Sequence, residues 1–146
     1  MMAILFETFQ QLYYIKRFNL AQNIQFIEVL KSQSYKWLVW VILSVFLIRF
    51  TKQNSAQNTN YFSYGILIIG LVFLSIFIIS IIQISLSDEP FSWSLLFGEY
   101  VTFFAFQKAP IYTLGYIAIA IITHFYFANE ALQIRVEELS EIKKTN

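Results

Sequence analysis

The sequence predicts an all-α integral membrane protein, a helical bundle of three to four transmembrane helices followed by an amphipathic C-terminal helix. Three observations favour this fold class. The 146 residues are 58% hydrophobic and only 13% charged, whereas soluble domains are about 25% charged. Long apolar runs occur in the middle of the chain, and one of them lacks any charge. The last residues instead alternate charged and apolar side chains at helical spacing.

The N-terminal segment, residues 1–34, predicts an amphipathic helix. Apolar residues precede the basic pair Lys16 and Arg17, and Leu20 and Ile24 then follow at helical spacing. The apolar stretch is shorter than the roughly 20 residues that a bilayer requires. A shortened first span is the alternative interpretation of this segment.

Residues 35–128 predict the transmembrane bundle, and its first span covers about residues 36–50. Trp37 and Trp40 stand near the start of this run, and an indole ring suits a membrane interface because it combines an apolar face with a polar N–H. The run is short, so an interfacial helix is the alternative.

The second predicted span, residues 61–86, is the strongest signal in the chain. No Asp, Glu, Lys, Arg or His occurs between Lys52 and Asp88. As a helix, about 26 residues measure roughly 39 Å, more than the hydrocarbon thickness of about 30 Å. The backbone of such a run must pair its own polar groups in lipid, and a helix does so.

The third predicted span covers residues 110–128 and begins at Pro110, a residue that suits the first turn of a helix. Residues 91–107, between the second and third spans, are apolar and aromatic but contain Glu99. They predict an interfacial helix, with a re-entrant segment as the alternative.

Residues 129–146 predict a connector helix that continues from the last span. Leu132, Val136 and Leu139 recur at the 3-4 spacing of a coiled coil, with Glu and Lys between them. They predict a homodimer through this helix. Two heptads are also compatible with a solvated single helix.

The residue inventory predicts no catalytic, cofactor-binding or metal-binding site, and therefore no enzyme. The chain has no Cys and one His, which excludes thiolate chemistry and a His-paired metal site within one chain. A net charge of +1 gives no basic stripe for direct binding of nucleic acid. His124 is the one ionisable side chain inside a well-defined span, which makes it a candidate for intramembrane sensing. A hydrogen-bonded His within the bundle is the alternative.

Basic residues do not decide the orientation, because the 10 Lys and Arg residues divide equally between the two sides of the predicted topology. A family resemblance does. Three segments around the uncharged run resemble, in their order, a known membrane region. They are YKWLVWVILSVFLIRF at 35–50, FQKAPIYTLGYIAIAIITHFYFANEAL at 106–132 and RVEELSEIKKTN at 135–146. The known region is the N-terminal region of bacterial LytTR-type transcriptional regulators and LytS-like sensor histidine kinases.

The resemblance implies a sensory or anchoring module in the bacterial inner membrane, with a cytoplasmic C-terminus. In that family the connector leads to a LytTR DNA-binding domain or a kinase core, and this sequence contains neither. The resemblance therefore implies a two-component or transcription-regulating module without its output domain. The phosphorylated His motif of the kinases is missing, and His124 does not match it. The alternative function is a small stand-alone membrane protein that packs with partner membrane proteins. A channel or transporter is disfavoured because the spans lack rings of polar residues.

Overall fold

The computed structural model describes residues 1–19, 25–54 and 60–146, and helices account for 91% of them. These residues contain no β-strand, so the all-α class is confirmed. The helices are α1 (Met2–Arg17), α2 (Phe26–Asn54), α3 (Tyr61–Leu86), the short α4 (Trp93–Leu95), a π-helical turn (Leu96–Val101) and α5 (Thr102–Thr145).

Three of the described helical segments are long and apolar enough to cross a membrane. They are α2, α3 and the run Trp93–Thr145 that joins α4, the π-helical turn and α5. Helix α1 has 16 residues, fewer than the roughly 20 of a typical span. The predicted amphipathic positions Leu20 and Ile24 lie outside the described residues, as do positions 55–59 of the polar stretch before α3.

The chain divides into two compact units, Met1–Ile42 and Leu43–Asn146. The division falls within α2 rather than at the predicted boundary between residues 34 and 35. In the first unit, α1 contacts the beginning of α2. The indole Nε1–H of Trp37 donates a hydrogen bond of 3.1 Å to Glu7 Oε2. The Phe9 and Phe26 rings lie 5.5 Å apart between centroids.

Within the second unit, α3 and α5 pack in antiparallel directions. Ser75 of α3 bonds Tyr116 of α5, whereas Tyr64, earlier in α3, faces His124, later in α5. The Oδ1 of Asn60 caps α3 by accepting a bond of 3.1 Å from the N–H of Phe62. Branched aliphatic side chains form the α3 side of the core: Ile68, Leu71, Val72, Ile76, Ile79 and Ile84.

The π-helical turn connects α4 to α5 and packs against α3. The Phe97 ring lies 6.1 Å from the Phe77 ring, centroid to centroid. The Thr102 hydroxyl donates a bond of 2.9 Å to the Phe97 carbonyl, five residues back. The turn therefore has both a tertiary contact and a side-chain bond that supports its wider backbone.

The structure differs from the sequence prediction around Pro110. Residues 91–107 and 110–128 were expected as separate helices, yet Pro110 lies inside α5, which continues to Thr145 and includes the predicted connector. Proline lacks one backbone N–H and so removes a single bond to the carbonyl of Phe106. Membrane-spanning helices tolerate this loss because neighbouring helices, hydroxyl side chains or local backbone adjustments satisfy the freed carbonyl.

Candidate functional site: a cavity between α3 and α5

A cavity of about 340 Å³ lies between the first half of α3 and the middle of α5. Its lining is mainly aliphatic and aromatic, and all of its residues belong to the second unit. The lining residues are Tyr61, Tyr64, Gly65, Ile68, Ile117, Ala120, Ile121, His124 and Phe125.

The cavity follows from helical spacing on both helices. On α3, Tyr61, Tyr64 and Ile68 recur at intervals of three and four residues, and the α5 residues recur in the same way, so each set shares one helix face. Small residues make the space. A Cβ placed on Gly65 would meet no atom within 4 Å. Ala120 is buried on the opposite helix and fills little of the gap.

Tyr64 forms part of the cavity wall and is 8% exposed. Its ring packs edge-on against Phe50 of α2, 5.2 Å between centroids, and edge-on against His124, 6.4 Å between centroids. The Tyr64 hydroxyl is buried and has no hydrogen-bond partner in the described part of the chain. A buried polar atom without a partner costs about 1–3 kcal/mol.

His124, the residue singled out as a sensing candidate, lies opposite Tyr64 in the same cavity. Its Nδ1 is buried and likewise lacks a hydrogen-bond partner among the described residues. This nitrogen therefore takes no part in a hydrogen bond within the described part of the bundle. Two polar atoms on facing rings thus remain unsatisfied in otherwise apolar surroundings.

Tyr116, between the same two helices, has a hydrogen-bond partner for its hydroxyl group. It is fully buried, and its hydroxyl lies 2.7 Å from the Ser75 Oγ. The Ser75 hydroxyl also donates 2.7 Å to the Leu71 carbonyl, so the Tyr116 hydroxyl donates to Ser75. The unsatisfied state is therefore particular to the cavity and is not general to this helix pair.

The residues around the cavity can form hydrogen bonds but offer no carboxylate for acid–base catalysis. They include Tyr61, Tyr64 and His124, and none of them is Asp, Glu, Lys or Arg. Tyrosine donates and accepts, and a neutral imidazole has one donor and one acceptor nitrogen. Within the described ranges, no group of three or more His, Cys, Asp or Glu side chains could hold a metal ion.

The predicted connector residues lie outside the cavity, on the C-terminal part of α5. Leu132, Val136 and Leu139 are about 60% exposed. All residues from 132 to 146 are exposed. The structure therefore places His124 and this exposed stripe on one helix but in different environments.

Of the residues around the cavity, the sequence singles out His124 as a candidate but not Tyr64, Gly65 or Ala120. A Tyr at three-residue spacing from Tyr61 inside an uncharged run was a signal in the sequence, yet its facing residue depends on how α3 is paired with α5.

Comparisons of the chain with protein-family models, with curated proteins and with solved structures found no match.

Proposed function

We propose that the protein is a membrane-embedded sensory and anchoring module of a bacterial signal-transduction protein. In this proposal the bundle lies in the inner membrane, and α5 couples the cavity at His124 to a cytoplasmic connector helix and an output domain of the LytTR or histidine-kinase type. The observation that supports it is the continuity of α5, which runs from Thr102 to Thr145 without interruption.

Continuity matters because a single helix transmits rotation and displacement along its axis. At 1.5 Å per residue, Leu132 lies about 12 Å beyond His124. Neither Gly nor Pro occurs between these two positions. A ligand that binds two arrangements of α3 and α5 unequally would therefore shift the orientation of the connector.

The exposed stripe of the connector supports a homodimer. Leu132, Val136 and Leu139 occupy the seam positions of a two-heptad pattern. Two heptads are marginal in solution. Anchoring both copies in one membrane raises their effective concentration and favours the pairing.

The alternative, a stand-alone protein that packs with partner membrane proteins, draws on the exposed apolar residues of the spans. Ile69 and Phe73 of α3, for example, are well exposed. Lipid covers such residues as well as a protein would, since lipid tails are as apolar as the side chains themselves. This surface therefore favours neither function, whereas the continuous α5 favours the first.

A reporter fusion tests the proposal. The C-terminus is joined to a DNA-binding reporter that acts only as a dimer, and Leu132 and Leu139 are both changed to Asp. We expect reporter output to fall about tenfold or more, because 1.4 kcal/mol of lost pairing already gives a factor of ten.

Ile134→Asp is the matched control. Ile134 is exposed on the same helix but lies about 200° around the axis from Leu132 at 100° per residue. Its reporter output should stay at the wild-type level, with equal protein amounts in the membrane fraction. Equal losses in the control and in the double variant, or no loss in either, would contradict pairing through the stripe.

A further inference from the structure

We propose that the α3–α5 cavity binds a neutral, lipid-soluble ring compound with hydrogen-bonding carbonyl groups, of the quinone class. Assigning this ligand a regulatory use rests on the proposed sensory function, whereas its binding is measured without any signalling readout. Four properties of the cavity support the assignment: its volume, its aromatic lining, its unsatisfied polar atoms and its lack of charge.

The volume indicates a ligand site rather than a packing defect. The cavity is open at its edge, where Tyr61 and Phe125 are exposed, so it is a groove that a molecule can enter from outside. The cavity measures about 340 Å³, which lies within the range of roughly 300–1,000 Å³ for small-molecule sites. An apolar cavity of about 150 Å³ already accommodates benzene, so a fused two-ring system is a reasonable occupant.

The lining suits a flat ring that arrives from the lipid. Tyr61 and Phe125 are strongly exposed at the edge of the cavity, whereas Ile68 and Ala120 are buried within it. In a membrane the exposed pair contacts lipid, so a lipid-soluble molecule reaches the cavity without crossing water. Aromatic side chains at the entrance stack favourably on another ring.

The unsatisfied polar atoms indicate what the ring must carry. The Tyr64 hydroxyl and His124 Nδ1 are buried without partners. The oxygen of a carbonyl group accepts from a phenol or from an imidazole N–H. Both atoms are shielded behind the cavity wall, so in this proposal the Tyr64 and His124 side chains rotate on binding, into the space beside Gly65. Binding would then remove two desolvation penalties at once.

The absence of charge in the lining distinguishes a quinone from a lipid headgroup. None of the cavity residues is Lys or Arg. A carboxylate or phosphate would therefore be buried here without a counter-ion, which is strongly unfavourable. A neutral carbonyl compound avoids that penalty and still satisfies the tyrosine and the histidine.

The test uses the full chain in lipid nanodiscs with isotope-labelled histidine. The chain has 1 His, so its imidazole NMR signals report on the cavity alone, and 0 Cys, so a quinone forms no thiol adduct. Menadione is the probe. Methylnaphthalene, the same carbon skeleton without carbonyl oxygens, and oleate, an acid with an apolar chain, are the comparison ligands. We expect a saturable shift of the His124 signals with menadione and at least fivefold weaker binding of the other two.

Three variants sharpen the test. Tyr64→Phe keeps the ring and should weaken menadione binding about fivefold to tenfold, the effect of one lost hydrogen bond of about 1 kcal/mol or slightly more. Gly65→Leu fills the cavity and should abolish the saturable shift. Tyr116→Phe removes a hydroxyl that bonds Ser75 outside the cavity and should bind menadione as the wild type does.

The outcomes separate clearly. No menadione shift, equal affinity for methylnaphthalene, preferred binding of oleate, or undiminished binding by Gly65→Leu would each overturn the quinone assignment. If Gly65→Leu fails to fold, Gly65→Ala replaces it, because a Cβ at this position meets open space. The quinone assignment is then overturned if neither Gly65→Ala nor Tyr64→Phe changes menadione binding. Menadione binding with a silent reporter fusion would leave the ligand site established and contradict the signalling role.

Discussion

Two tyrosines between the same pair of helices differ in the partner of the hydroxyl group. Tyr116 bonds Ser75, whereas the buried Tyr64 hydroxyl has no partner among the described residues. Both side chains are buried. Their hydroxyl groups should therefore make opposite contributions to the free energy of unfolding of the ligand-free protein.

Replacing each tyrosine by phenylalanine measures that difference. Tyr64→Phe should raise the free energy of unfolding by about 1 kcal/mol, because it removes a buried polar atom and keeps the ring packing. Tyr116→Phe should lower it by about 1 kcal/mol, because a hydrogen bond is lost. Denaturant titration in quinone-free detergent gives both values. A loss of stability in Tyr64→Phe would show that this hydroxyl is bonded in the native protein.

His124 and Tyr64 show how far the sequence predicts the candidate site. His124 is recognisable as a candidate functional residue because ionisable groups are rare in apolar runs. Tyr64 is one of 9 tyrosines, and a hydroxyl group is tolerated in many positions. Its significance depends on which residue it faces across α3 and α5, and that register is a property of the packed helices.

At the scale of the elements, apolar runs locate helices better than they delimit them. Helix α3 covers the residues of the uncharged run, whereas α2 begins at Phe26, well before the predicted run at 36–50. Glu28 and Lys31 in that extension are good helix formers. Hydropathy marks the part of a helix that suits lipid, and the polar turns beyond it remain helical without contributing to the pattern.

Pro110 gives a prediction at this scale. Pro110→Ala supplies an N–H for the Phe106 carbonyl and removes the clash of the ring with the preceding turn. We expect the free energy of unfolding to rise by about 1–3 kcal/mol, measured by denaturant titration. Pro90→Ala, at an exposed position before α4, is the control and should give no gain. No gain in Pro110→Ala would indicate that neighbouring groups already satisfy the helix there.

At the scale of the whole molecule, the antiparallel packing of α3 and α5 makes a topological prediction. Asp88 follows the end of α3, and Ser140 lies on α5 beyond His124. If both helices cross the membrane, these two residues lie on opposite sides. The proposed orientation places Asp88 outside and Ser140 in the cytoplasm.

Labelling of single cysteines measures this orientation, since the chain has 0 Cys. Both positions are exposed. In intact spheroplasts a membrane-impermeant maleimide should react with Asp88→Cys and leave Ser140→Cys unlabelled until the cells are lysed. The reverse pattern would invert the topology, and labelling of both residues in intact cells would contradict a membrane between them.

The π-helical turn at Leu96–Val101 has a geometric consequence for the segment that follows it. A π turn accommodates one more residue than an α turn. Converting it into α-helix would change the azimuth of the residues on one side by about 100° relative to the other. Phe97 would then leave its position near Phe77. This short turn therefore sets the angular phase between the aromatic contact on α3 and every residue of α5.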